Sequence, residues 1–311
     1  MLVKPLRIGI CGTDYHIYGG NQPFLTYPRV MGHELAVKVV EAPPGSSFAP
    51  GQICVVNPYL SCGECVACRA GKPNCCVRIA VLGVHRDGGM TELLTLPPQN
   101  LIAGGGLTAD ECAMVEFLAI GAHAVRRGTV SSSDRALVIG AGPIGLGVGL
   151  FASLAGAAVT MMDREQERLD VASTLFACTE TIRAGEDSAD AIDARTGGEG
   201  FDVVFDATGS RESIETAFAY VASGGRYVLV SVVKGTITFT DSEFHRKELA
   251  LIGSRNATLV DFEKVMEAIR AGKALPEKWI THRTSLHGAI HDLPLWASRK
   301  TGLVKAVLEV A

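Results

Sequence analysis

Gly140-Ala141-Gly142-Pro143-Ile144-Gly145 is the stretch on which the fold turns. It fits G-x-G-x-x-G, a pattern that a chain with 35 glycines in 311 residues also produces by chance. Its setting gives it weight. Residues 135–140 are a short apolar run of the buried-strand kind, and residues 143–154 read as a helix with small residues on one side. Between strand and helix each glycine has a task. Gly140 permits a tight turn, Gly142 lets the backbone approach a pyrophosphate, and Gly145 lets the helix pack close to the sheet. Pro143 and Ile144 open a helix whose free N–H groups and positive dipole end suit phosphate.

Reading outward, residues 157–162 form a second strand, and Asp163 closes it eighteen positions after Gly145. An acid there bonds adenosine ribose hydroxyls and repels a 2′-phosphate, which favours NAD over NADP. Arg164 follows directly and could meet such a phosphate, or be a solvated surface charge. Arg168, one helical turn on, could lie against the adenine, or be a plain exposed helix residue.

The alternation continues. Residues 201–207, 226–232 and 248–252 read as strands, and 165–176, 211–221 and 259–271 as helices. Strands alternating with helices imply a parallel sheet covered on both faces. The first third of the chain differs: short strand-like runs at 35–40 and 53–57 are separated by turn signals such as Ala42-Pro43-Pro44-Gly45. That suits a β-rich domain. The tail from about 273 returns to mixed character and ends in a strand-like run, 304–310, which can fold back on the first domain. The expected class is α/β, a β-rich domain plus a doubly wound parallel-sheet domain.

Hydrophobic residues make up 47% of the chain and charged residues 20%, an ordinary globular composition. The net charge of −4 and pI near 6.1 argue against a nucleic-acid or membrane-surface partner. No apolar run reaches membrane-helix length, and Met1-Leu2-Val3-Lys4-Pro5 lacks a signal-peptide core, so a cytoplasmic setting is expected.

Of nine cysteines, Cys54 and Cys178 read as core thiols, but Cys62, Cys65, Cys68, Cys75 and Cys76 bunch together. In a reducing compartment such bunching points to metal rather than disulfides. Cys62-x-x-Cys65-x-x-Cys68-x7-Cys76 offers four thiolates that would close a tetrahedron around zinc and leave no open position, with Cys75 competing for the fourth place. A second constellation, Cys11-Gly12-Thr13-Asp14-Tyr15-His16 and Gly32-His33-Glu34, supplies one thiolate, one imidazole and one carboxylate, a set that can hold zinc with a position open for substrate.

Together these residues resemble the zinc-containing medium-chain dehydrogenase/reductase superfamily, over nearly the whole chain and most closely its sorbitol and threonine dehydrogenase branch. Ile17-Tyr18-Gly19-Gly20-Asn21 and Gly253-Ser254-Arg255-Asn256-Ala257 look like sugar-acid dehydrogenases of the L-galactonate or L-idonate type. The resemblance implies a GroES-like catalytic domain (1–118 and 272–311), a Rossmann domain (119–271) and an active site in the cleft between them. It implies Cys11 and His33 as catalytic zinc ligands, with Glu34 a ligand in some states. Glu116, in Val115-Glu116-Phe117-Leu118-Ala119, matches a further acidic ligand of a Glu-Pro-Leu-Ala segment, Phe117 standing where the family has proline. Asp14 would hold the far nitrogen of His33. Cys62, Cys65, Cys68 and Cys76 match the structural zinc lobe. The family also carries strands before the segment matching Val3-Lys4-Pro5. A chain without them is expected to expose a sheet edge and to hold its metal less tightly.

The activity so implied is hydride transfer between a secondary alcohol of a polyol or sugar acid and NAD, with two zinc ions per chain, in a homodimer or homotetramer. Thr13 would take the alcohol proton and pass it by way of the nicotinamide ribose to His16, whose imidazole titrates near neutrality. Arg255 and Asn256 are expected at the substrate, Arg255 on a substrate carboxylate or on Glu116. The rival readings are a threonine-dehydrogenase-like amino-alcohol oxidation and a non-catalytic, truncated dinucleotide-binding paralogue.

Overall fold

A computed structural model describes residues 1–20, 25–176, 178, 180–298 and 302–310. Asn21, part of the 17–21 segment, lies outside them. The chain divides into two compact units, Met1–Phe117 with Asn256–Ala311, and Leu118–Arg255.

The first unit is organised around strand Leu2–Ile10, which has strand Glu34–Glu41 on one side and strand Lys305–Glu309 on the other, both antiparallel to it. Ile280–Ser285 extends the sheet beyond Lys305–Glu309, and Ile53–Val56 and Leu101–Ala103 extend it beyond Glu34–Glu41. The sequence pattern does not announce Leu2–Ile10 as a strand, because Pro5 has no N–H to give a ladder. The structure accommodates it with a register shift between Pro5 and Arg7, and the pairing to Lys305–Glu309 begins only at Arg7. Inward-facing residues of these strands, Val3, Ile8, Leu35, Val37, Ala306 and Leu308 among them, share one apolar core with Leu293 and Trp296. The tail therefore does fold back as a strand of the first sheet.

The second unit is a parallel sheet, in which strands Arg135–Ile139, Ala158–Asp163, Glu180–Arg183, Phe201–Asp206, Val221–Leu229 and Ala250–Gly253 lie in the order 3-2-1-4-5-6 when numbered along the chain. This is the doubly wound, Rossmann order, which reverses beside the first strand. Helices Pro143–Leu154, Gln166–Phe176, Ser188–Thr196 and Arg211–Ala217 follow the first four strands in turn. The strand Glu180–Arg183 was not legible in the sequence: it has four residues, and Ile182 is its one buried side chain. The fold is thus mixed α/β, a largely antiparallel GroES-like sheet and a parallel Rossmann-like sheet.

The expected boundary at 271 is drawn differently by the packing, which assigns helix Leu259–Arg270 to the first unit. Phe262 meets the Tyr59 ring edge-on at 6.3 Å, and Arg270 donates to the carbonyls of Gly104 and Gly105. Among the described residues no helix is long and apolar enough to cross a membrane.

Phe117 holds part of the first unit together. Its ring packs 5.4 Å from Trp279 and lies under the Lys305 ammonium at 4.4 Å. Phe117→Ala is expected to cost about 3–5 kcal/mol in denaturant unfolding. Phe117→Leu, which refills most of the volume, should cost less than half of that.

Candidate active site

The pairing of the first two strands assembles the first metal-ligand set. Cys11 follows strand Leu2–Ile10 directly and caps helix Gly12–Tyr18: its Sγ accepts the Thr13 N–H at 3.1 Å, and Asp14 Oδ2 accepts the Cys11 N–H at 2.9 Å. The return strand starts at Glu34, opposite Gly9, so His33 and Glu34 arrive beside Cys11. One donor atom each from Cys11, His33 and Glu34 falls within 4.8 Å of the others, with Cys11 Sγ and His33 Nε2 3.0 Å apart. His33 and Glu34 are buried. Gly9 is needed here, since a Cβ on it would stand 2.1 Å from Glu34 Oε2.

A cation fits this set. Burial by itself would push the His33 imidazole down, yet the Cys11 thiolate and the Asp14 carboxylate hold it well above its ordinary value. The pocket thus draws positive charge to itself, and a zinc ion held by thiolate, imidazole and carboxylate would take the place of that proton. The Asp14–His33 contact is looser than the resemblance implies. Asp14 Oδ1 and His33 Nδ1 are 3.8 Å apart, an ion-pair distance, and among the described residues neither buried atom has a hydrogen bond. Thr13 is half-buried and His16 exposed on the same short helix.

Two neighbours were invisible in the sequence. Lys305, 271 positions from Glu34, is buried and donates its Nζ to Glu34 Oε1 at 2.6 Å. Tyr59, also buried, donates its hydroxyl to Glu116 Oε1. Glu116 does not complete the group formed by Cys11, His33 and Glu34. Burial pushes its carboxyl up to about 7, against the downward pull of His33.

The four sulfurs of Cys62, Cys65, Cys68 and Cys76 form the second cluster, each within 4.8 Å of the others. Cys76 is buried and its Sγ accepts the backbone N–H groups of Cys62 and Arg78, both at 3.3 Å, whereas Cys75 is exposed and outside the cluster. The Arg78 guanidinium, first among several donors, draws the Cys62 thiol down to about 6. A thiol so lowered is ready to bind metal near neutral pH. Four soft donors fit zinc and leave it no open place.

In the second unit, Gly140-to-Gly145 joins the first parallel strand to helix Pro143–Leu154. Gly140 has φ +98°. A Cβ on Gly145 would stand 1.7 Å from the Gly140 carbonyl oxygen, whereas one on Gly142 would meet nothing within 4 Å. The first glycine makes the turn, the last brings the helix onto it, and Gly142, the N-cap, keeps an open approach to Pro143 and Ile144 at the helix start. Asp163 is tied to this loop: Oδ2 accepts the Ala141 N–H at 2.7 Å and Oδ1 the Glu165 N–H at 3.0 Å. Each oxygen retains a lone pair for a ribose hydroxyl. Arg168 reaches Asp163 Oδ2 at 3.8 Å, and Arg164 is exposed. Asp206, unflagged in the sequence, ends the adjacent strand and accepts from Thr208 and Ser213. It lies at the carboxyl end of the sheet, where ligands of this fold bind.

The two residues expected at the substrate differ in setting. Asn256 has φ +52° and spends its side-chain amide on the Asn74 carbonyl at 3.2 Å, beside the four-cysteine lobe. Arg255 is exposed and belongs to the second unit.

Cys76→Ser should remove one zinc per chain and lower the melting temperature, while Cys75→Ser leaves metal content unchanged; elemental analysis and calorimetry distinguish them. Glu116 gives a pH test in the metal-free protein. Its raised pKa means that the folded form keeps a proton that the unfolded chain releases near its ordinary value of 4.5. Stability is therefore full below that value and is lost as pH rises through about 7. Glu116→Gln should abolish this loss, about 3 kcal/mol, in urea unfolding compared between pH 4 and about pH 8.

Residues 1–105 match the family described as alcohol dehydrogenase GroES-like domain, and residues 143–271 that described as zinc-binding dehydrogenase. L-galactonate-5-dehydrogenase of Escherichia coli is 41% identical over 285 residues, 91% of this chain and 83% of that protein. The crystal structure of an Escherichia coli alcohol dehydrogenase complexed with NADH is 30% identical with a TM-score of 0.92, covering 99% of this chain and 91% of that one. A zinc-binding dehydrogenase from Sinorhizobium meliloti bound to NADP is 29% identical with a TM-score of 0.89, at 99% and 91% coverage. On both its halves and at this level of identity, the chain belongs to the zinc-binding alcohol dehydrogenase family.

Proposed function

We propose that this protein transfers a hydride between a secondary alcohol of a polyol or sugar acid, L-galactonate-like, and NAD. The observation that carries the reading is the convergence of Cys11, His33 and Glu34 within 4.8 Å, apart from the four-cysteine cluster. Zinc in the first set would supply Lewis acidity to an alcohol oxygen, and the nicotinamide would supply the hydride acceptor.

The protein's own groups do the rest. Cys11, His33 and Glu34 hold the ion and leave a place for substrate, and Lys305 keeps the Glu34 charge compensated. Thr13, fixed by the Cys11 cap, takes the alcohol proton. His16 is exposed on the same helix, so a proton that reaches it is released to water. Gly140, Gly142 and Gly145 shape the loop for the pyrophosphate. Asp163 orients the ribose and disfavours a 2′-phosphate, which supports NAD although a relative is known with NADP. Arg168 borders the adenosine end and Arg164 is its solvated neighbour. Arg255 is assigned to a substrate carboxylate and Asn256 to the segment that carries it. Cys62, Cys65, Cys68 and Cys76 hold a structural zinc. A cytoplasmic setting and a homodimer or homotetramer are proposed with it, and sedimentation measures the assembly.

Cys11→Ser is expected to abolish alcohol oxidation, followed as NADH absorbance with L-galactonate, L-idonate, sorbitol and L-threonine as substrates, while NAD binding by calorimetry persists. Unchanged turnover in that variant, or no response of the parent to any secondary alcohol, would refute the reading.

A further inference from the structure

Two carboxylates approach the Cys11–His33 pair, and each is tied by a different kind of group. Glu34 has the ammonium of Lys305. That same ammonium lies over the ring of Phe117, the residue after Glu116, so the second carboxylate starts from the neighbouring position. Glu116 is bonded by a neutral donor, the Tyr59 hydroxyl, and stands outside the group formed by Cys11, His33 and Glu34. The phenol is itself fixed. Tyr59 donates its N–H to Asn57 Oδ1 at 3.1 Å, its carbonyl accepts from Asn100 Nδ2 at 3.4 Å, and its ring stands edge-on to Phe262. Its strand, Tyr59–Leu60, pairs with Ala80–Val81.

We propose that Tyr59 is a positioning residue that latches Glu116 off the metal, so that three protein donors hold the ion and the place for substrate stays free. The idea rests on the zinc site of the proposed function. Its physical basis is competition. A buried carboxylate next to a divalent cation gains by binding it, and doing so here would fill the coordination place that the alcohol needs. A hydroxyl hydrogen bond from a rigid neighbour gives that carboxylate another partner without adding a charge that would oppose the cation. The hydrogen bond of the Lys305 ammonium goes to Glu34, and that of Glu116 comes from Tyr59.

The test replaces zinc by cobalt(II), whose visible bands report its ligands, and takes the difference between each protein and its Cys11→Ser counterpart to isolate this site. In the parent, added imidazole should shift the cobalt bands, and a chelator should strip the ion at a measurable rate. In Tyr59→Phe, which keeps the ring and its Phe262 contact, the released Glu116 should suppress the imidazole shift and slow stripping roughly tenfold. Glu116→Gln alone, and Glu116→Gln combined with Tyr59→Phe, should both behave like the parent. Unaltered bands and stripping in Tyr59→Phe would overturn the latch, as would an effect of Tyr59→Phe that persists without Glu116. Faster stripping in Glu116→Gln would overturn it too, because it would make Glu116 a ligand already. A parent with no cobalt bands beyond those of Cys11→Ser would instead sink the zinc-site reading itself, and the latch with it.

Discussion

The buried pair between Lys305 and Glu34 is the interaction on which the first unit depends. Both side chains are buried in a site that already holds Cys11, His33, Asp14 and Glu116. Removing one member of such a pair typically costs about 3–5 kcal/mol, because the charge left behind has neither water nor partner. Lys305 comes from the last strand and Glu34 from the second, and both strands lie against Leu2–Ile10. Correct registry of three strands is therefore required for the lysine to reach the carboxylate that stands among the metal ligands.

The two metal clusters differ in how they are made. The four-cysteine lobe is local: its ligands lie between positions 62 and 76, and backbone N–H groups of Cys62 and Arg78 already point at Cys76. The Cys11–His33–Glu34 set is drawn from two elements and is held by the sheet. A local cluster with no vacancy suits a structural ion. A sheet-held cluster of mixed donors suits one that must exchange a ligand during reaction.

That difference also explains what could be read in the sequence. The glycine loop and the four-cysteine lobe were legible because each is a short segment whose spacing carries its geometry, and the structure even separates Cys76 from Cys75 by burial. The parallel sheet was legible for strands with long apolar runs, but not for Glu180–Arg183, which buries a single side chain. Leu2–Ile10 escaped because Pro5 masks a strand that tolerates it through a shifted register. Lys305 and Tyr59 escaped for another reason. Each meets its carboxylate across a large sequence separation, and nothing local marks a lysine in an apolar strand or a tyrosine in a turn-rich segment as an acid's partner. The contact of the Asn256 amide with the Asn74 carbonyl spans 182 positions and was equally hidden.

Gly9 has a consequence for how this chain can vary. Any β-carbon there would collide with the Glu34 carboxylate, so the two positions are not independently mutable. A side chain at 9 would have to displace the acid opposite it, and displacing that acid disturbs its bond to the lysine. Three residues far apart along the polypeptide are in this way mechanically linked, and a change of size or charge at one is felt by the other two.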